Sequence, residues 1–160
     1  MKWSAEPRLM RQPVHFLAFG FGAGLAPSAP GTFGTLVAVP LVWFVAQLGW
    51  QSHIALTAAA FLAGIWICGE SARRLGVHDH SGIVWDEIVG FSVTMLAAPP
   101  TWYWLLAGFV LFRIFDIWKP WPIREADHRL HGGFGIMLDD VIAGAFSAAI
   151  LLVLTSVVKT

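Results

Sequence analysis

The residues in this chain best suited to chemistry are carboxylates placed where carboxylates are costly. Asp86 and Glu87 lie in IVWDEIVG (83–90), Asp116 in RIFDIWKPWP (113–122), and Asp139 and Asp140 in GIMLDDVIAG (135–144). Each stretch is strongly apolar, in a chain whose charged fraction is 12%. An ionised carboxylate in apolar surroundings is unfavourable unless it is paired or bound to a cation. Five of the ten acids accept that penalty, so something cationic is expected to gather them. A hard divalent ion such as Mg²⁺ has the right chemistry, because it takes oxygen ligands and is typically held by one or two carboxylates plus substrate phosphate. The candidate metal ligands are Asp86, Glu87, Asp139 and Asp140, with Asp116 as a further catalytic acid. Neighbouring acids diverge by about 100° on a helix, so one member of each pair is expected to face the site. The other caps, binds a supporting partner or serves as a base. An acid at a helix start also gains from the helix dipole, the plainer reading of Asp139 or Asp140.

Cations accompany the acids. Arg113 and Asp116 are spaced i,i+3, as are Asp116 and Lys119, so one helix face carries a salt-bridged string. In the plainer reading Arg113 only neutralises Asp116. In the functional one, Arg113 or Lys119 steadies a phosphate. The run PGTFGT (30–35) offers glycines at which backbone amides can approach an anion, and hydroxyls that donate. Gly31, Thr32, Gly34 and Thr35 are therefore candidate phosphate contacts. The spacing is not that of a Walker loop, and in the plainer reading the turn merely starts a helix. HGGFG (131–135) is a second turn of this type. His78, His80, His128 and His131 sit in polar loops, where a histidine can protonate a leaving alkoxide; His80 is the one counted with the candidate phosphate contacts. His15 and His53 have no evident role. The lone Cys68 lies in an apolar helix and reads as a small core residue.

The elements that must position these groups read as membrane helices. The chain has 160 residues, 57% of them hydrophobic, with nine Trp and twelve Phe. No Asp, Glu, Lys or Arg occurs between Arg11 and Glu70, between Glu87 and Arg113, or between Asp140 and Lys159. Uncharged runs of about 20 residues can cross a hydrocarbon core. The expected fold is all-α: one membrane-embedded domain over residues 1–160, a polytopic bundle of about five spanning helices. The spans are expected near residues 34–50, 54–75, 83–98, 101–118 and 136–158. Residues 14–26, apolar but short and Gly-rich, are expected to form an interfacial or re-entrant segment, residues 27–35 a break, and residues 123–135 a polar loop. No cleavage site follows the polar N-terminus, so a cleaved signal peptide is not expected. Zero net charge offers no field to draw in nucleic acid.

The basic residues fix an expected orientation. Lys2, Arg8 and Arg11 precede the first span, Arg73 and Arg74 close the second, and Lys119, Arg124 and Arg129 follow the fourth. With five spans all of these lie on one side, which the positive-inside rule makes cytoplasmic. The acids and the PGTFGT turn then meet at one depth near that face, where a phospholipid's phosphate sits.

Four motifs together resemble one family. Gly22, Gly24, Pro27 and PGTFGT (30–35), HDHSGIVWDEIVG (78–90), GFVLFRIFDIWKPWPI (108–123) and HGGFGIMLDDVIAG (131–144) are similar to phosphatidylglycerophosphatase A, over about residues 19–144. The resemblance implies a bacterial inner-membrane, Mg²⁺-dependent phosphatase that converts phosphatidylglycerol phosphate to phosphatidylglycerol and inorganic phosphate. It implies a phospholipid as the binding partner. Residue spacing alone reaches only metal-assisted chemistry on a membrane phosphate, by water attack or through an aspartyl phosphoenzyme. Two other classes are weighed against it. A CDP-alcohol phosphotransferase would carry a D-G-x-x-A-R string, which is missing. A small cation transporter or channel would place its acids near the midplane and often show repeats, whereas these acids cluster toward one face.

Overall fold

The computed structural model describes residues 7–77 and 80–158, and every regular element within them is helical. Lys2, His78 and Lys159, to which the sequence reading gave roles, lie outside the described residues. A 3₁₀ turn (Pro7–Arg11) leads into α1 (Pro13–Ala18) and a second 3₁₀ stretch (Gly20–Leu25). Then come α2 (Pro30–Gln47), α3 (Trp50–Leu75), α4 (Trp85–Met95), α5 (Trp102–Trp118), α6 (Ile123–Arg129) and α7 (Gly132–Val158).

The N-terminal apolar stretch forms no helix long enough to cross a membrane. Its backbone turns left-handed at Gly20, Phe21 and Gly22, which splits it into two pieces of six residues each. Two expected loops are helical instead. PGTFGT forms the first turns of α2, because Pro30 occupies the first helical position, where its fixed φ suits the helix and its missing N–H is not needed. Residues 123–129 of the expected polar loop form α6, and α7 begins at Gly132, ahead of the expected start. Asp139 and Asp140 therefore sit about two turns inside α7, beyond the reach of helix-end stabilisation.

Three helices, α2, α3 and α7, are long and apolar enough to cross a membrane. At 1.5 Å per residue, the 11 residues of α4 extend about 16 Å and the 17 of α5 about 26 Å. Length thus supports three spans and not the full expected count of about five. The surface is that of a membrane protein: Leu62, Trp66, Leu106, Ile117 and Val153 are all more than half exposed. Large apolar side chains facing outward from several helices are not what a soluble bundle presents to water.

The shortest of the five main helices lies at the centre. α4 packs against α7, α2, α3 and α5, and seven of its residues are buried. One core cluster gathers Phe91, Met95, Phe112 and Leu151; the other gathers Phe19, Ile67, Val89 and Met137. The crossing of α4 and α7 is set by glycine. A Cβ on Gly144 would collide with the Gly90 carbonyl oxygen, and one on Gly90 would lie 2.7 Å from the Asp140 carbonyl oxygen. Small residues let helix backbones approach closely inside a membrane. Gly90 and Gly144 each follow an acid, Asp86 and Asp140, by four residues, one turn along the same face. The closest approach of the two helices is thus next to the carboxylates.

Candidate active site

The acids converge on a cleft of about 270 Å³ at one end of the bundle. Asp86 and Glu87 enter it from the first turn of α4, Arg113 and Asp116 from the last turns of α5, and Asp139 and Asp140 from α7. Lys119, just past α5, and His80 and Ser81, ahead of α4, complete the charged and polar lining, with Gly31 at the start of α2 beside them. One oxygen from each of Asp86, Glu87 and Asp140 lies within 4.8 Å of the other two. Both acids of the first pair join this group, where helical geometry led us to expect one. Val84, the residue that precedes α4, donates its backbone N–H to the Ala18 carbonyl at 2.8 Å, which fixes the start of the helix that carries both carboxylates.

Asp139, the fourth candidate metal ligand, lies outside that trio. Its Oδ2 accepts a hydrogen bond from Lys119 Nζ at 2.7 Å, and the same ammonium reaches Asp127 Oδ1 at 2.8 Å. Lys119 is not the end of a string running through Asp116. Its backbone is left-handed, with φ 45°, and this turns the side chain off the α5 face toward α6 and α7. Burial works against its charge, but Asp139 and Asp127 overcome that and hold the ammonium above its usual range. Asp127 was not singled out in the sequence, since an acid in IREADHRL has no feature separating it from an ordinary solvated loop residue.

Arg113 is the second fixed cation. It forms an ion pair with Asp116, lies 3.9 Å from Glu87 Oε1, and donates to Thr35 Oγ1 at 3.5 Å. Thr35 in turn donates to the Gly31 carbonyl at 3.0 Å. The PGTFGT residues therefore divide. Gly31 lines the cleft, and a Cβ there would collide with Glu87 Oε1 and sit 3.2 Å from Arg113 Nη1. Thr35 is buried and steadies Arg113, while Gly34 makes room for Val84. Thr32 is outside the cleft lining. Among the histidines, His80 reaches the cleft and His128 and His131 are exposed. The Gly82 amide donates to His80 Nδ1 at 2.9 Å, which in the neutral ring leaves the proton on Nε2. Cys68 is buried against Met137, its Sγ 3.7 Å from the thioether sulfur, and lies outside the cleft lining.

The charge balance shows what the cleft can accept. Five carboxylates face two cations, Arg113 and Lys119. Glu87 Oε2, Asp139 Oδ1 and Asp140 Oδ2 are buried and have no hydrogen-bond partner among the described residues. Buried carboxylate oxygens are normally satisfied by donors or by a cation. A cluster of three carboxylates, Asp86, Glu87 and Asp140, in which Glu87 and Asp140 each keep a buried oxygen without a hydrogen-bond partner among the described residues, rimmed by an arginine and a lysine, fits a hard divalent ion beside a phosphate.

The family model for phosphatidylglycerophosphatase A matches residues 16–155. Phosphatidylglycerophosphatase A of Escherichia coli (strain K12) is 49% identical over 149 residues, covering 92% of this chain and 87% of that protein. The protein of the same name from Haemophilus influenzae is 47% identical over 141 residues, 87% of this chain and 86% of its own length. A Bacteroides thetaiotaomicron protein provisionally named a phosphatidylinositol-3-phosphatase is 41% identical over 145 residues, 84% of this chain and 88% of its own. No solved structure matches the chain. A family match across the site-bearing helices, with relatives near half identical over most of their length, means that this chain belongs to the phosphatidylglycerophosphatase A family of phosphatases.

Proposed function

We propose that the protein hydrolyses phosphatidylglycerol phosphate to phosphatidylglycerol and inorganic phosphate, with Mg²⁺, at the cytoplasmic face of a bacterial inner membrane. The observation that carries this reading is the clustering of Asp86, Glu87 and Asp140, with the buried oxygens of Glu87 and Asp140, beside Arg113 and Lys119. Asp86, Glu87 and Asp140 are the residues that would hold the ion. When bound, Mg²⁺ supplies Lewis-acid polarisation of the phosphoryl oxygens.

The chain's own groups do the rest. Arg113, braced by Asp116 and Thr35, and Lys119, braced by Asp127 and Asp139, present fixed positive charge to the phosphoryl oxygens, whose charge shifts in the transition state. Asp116, in the same lining, is placed to orient the attacking water. His80, whose Nε2 carries the proton of the neutral ring, is placed to donate a hydrogen bond to the leaving-group oxygen. The names of the Escherichia coli and Haemophilus influenzae relatives favour phosphatidylglycerol phosphate, and the Bacteroides name makes a 3-phosphorylated inositol lipid the comparison substrate.

Five membrane passes suit the layout, although two helices are short. The carboxylate end gathers Pro30, Asp86, Lys119 and Asp139, while a second cavity at the other end gathers Ala46, Trp50, Pro99 and Thr155. α4, continued by Leu96 to Pro100, thus joins the two ends even though its helix is brief. Non-helical backbone at membrane depth is tolerated where protein covers it. Arg73, Arg74, Arg124 and Arg129 flank the ends of α3 and α6, which favours placing the carboxylate end in the cytoplasm.

Phosphate release from purified protein in detergent tests the reading. Release from phosphatidylglycerol phosphate should require Mg²⁺ and exceed release from phosphatidylinositol 3-phosphate. Undiminished turnover in excess chelator would reject the metal assignment, and a preference for the inositol lipid would reject the substrate.

A further inference from the structure

We infer that the face of α5 next to the carboxylate cleft is a track for one acyl chain of the lipid whose phosphate is cleaved, which rests on the lipid-phosphatase reading above. A shallow, open depression of about 450 Å³ lies on the outer face of α5 and is lined by Phe109, Val110, Arg113, Ile114, Ile117 and Trp118. Two of these, Arg113 and Ile117, also line the carboxylate cleft. The carboxylate cleft and this depression therefore adjoin, one polar and the other apolar. Arg113 is the one charged residue lining the apolar depression and stands where the two meet.

The occupant follows from that adjacency. Residues 109–118 cover nine helical rises, about 14 Å, directed from the carboxylate end of α5 into the apolar bundle. Val110, Ile114 and Ile117 are exposed, at 47%, 48% and 71%, and no element among the described residues covers them. A molecule with a phosphate among the carboxylates and a hydrocarbon tail finds the cleft and the depression matched to its own two ends. A water-soluble phosphate ester would use only the polar cleft.

The track acts by orientation. Hydrocarbon gains little by leaving lipid for a groove of equal apolarity, because no hydrophobic driving force separates the two. What the groove supplies is direction. A chain laid along α5 fixes where the headgroup enters, and small errors of placement at the phosphate are costly, of the order of a hundredfold in rate for about 1 Å.

The test compares two substrates and three variants. Val110→Trp and Ile114→Trp fill the groove without touching the carboxylates, and Leu62→Trp adds the same bulk to an exposed site on α3. Both groove variants should lower kcat/KM on diacyl phosphatidylglycerol phosphate by about tenfold or more. They should leave hydrolysis of the same headgroup with both acyl chains removed unchanged, and Leu62→Trp should alter neither. A groove variant that turns over the lipid normally, or loses both substrates equally while folded, would overturn the track. If wild-type protein cleaves neither substrate, the phosphatase reading itself fails. Photo-crosslinking then decides the groove separately, using phosphatidylglycerol phosphate with a diazirine in one acyl chain. Label concentrated on residues 109–118 supports the track, and label spread evenly over the exposed faces of α2, α3 and α5 refutes it.

Discussion

Both ends of this bundle bury polar side chains, and they treat them in opposite ways. At the end away from the carboxylates, His53 and Thr57 of α3 meet Ser92 of α4. His53 Nε2 lies 3.1 Å and Thr57 Oγ1 2.7 Å from the Ser92 hydroxyl, and all three residues are nearly inaccessible. That network is small, uncharged and closed on itself. At the carboxylate end five acids face two cations, and three buried oxygens have no hydrogen-bond partner among the described residues. A satisfied buried network fastens two helices together, because each group is worth more paired than exposed to hydrocarbon. An unsatisfied and charged one is tolerated only when something else completes it. The contrast separates a structural polar cluster from a functional one without reference to residue type, since each end contains a histidine.

The sharpest way to break the comparison is to remove charge from the carboxylate trio. Asp140→Asn keeps the shape of the side chain and removes one anionic ligand. Turnover should fall by about 10²–10⁴-fold, and Mg²⁺ binding measured by calorimetry should weaken sharply while the protein stays folded. A variant that binds the ion as tightly as wild type would show that Asp140 belongs to a static ion-pair network. Next in size is Lys119→Met, which strips the cation from Asp139 and Asp127. The expected loss is about 10²-fold in kcat, with Mg²⁺ affinity retained, so the ratio of the two effects distinguishes phosphate contact from metal support.

Gly144→Val tests whether the approach of α4 and α7 positions the trio. The added Cβ would meet the Gly90 carbonyl one turn from the acids. A fall in kcat/KM of about tenfold or more is expected, accompanied by weaker Mg²⁺ binding, although no ligand has changed. Normal activity in a folded Gly144→Val protein would remove the crossing from the explanation of the site. The smallest effect on catalysis belongs to the other end. Ser92→Ala leaves His53 and Thr57 short of a partner and should lower stability by about 1–3 kcal/mol, read as a lower unfolding midpoint in detergent. Phosphate release at a temperature where the variant remains folded should be unchanged. Loss of activity there would join two ends that the geometry keeps apart.

Much of this was legible in the residues themselves. Placing Asp86, Glu87, Asp116, Asp139 and Asp140 in apolar runs marks them as exceptional, because the energetic penalty for such groups is local and large wherever the chain folds. The helical class and membrane character also follow from the sequence, since uncharged runs of sufficient length depend on composition alone. Arrangement was decided by the tertiary structure. No spacing rule distinguishes Asp139 from Asp140, yet one salt-bridges Lys119 and the other joins the trio, because adjacent residues on α7 face different neighbours. Asp127 gained its role only when α6 brought it to Lys119 across a turn that the sequence reading left as loop. PGTFGT reads as an anion loop by composition, but Pro30 starts a helix there. Gly31 becomes clearance for Glu87, and Thr35 a brace for Arg113. The residues determine which groups are costly to bury; the packing of α4 against α7 and α5 determines which of them meet, because contact between distant segments has no signature in either one alone.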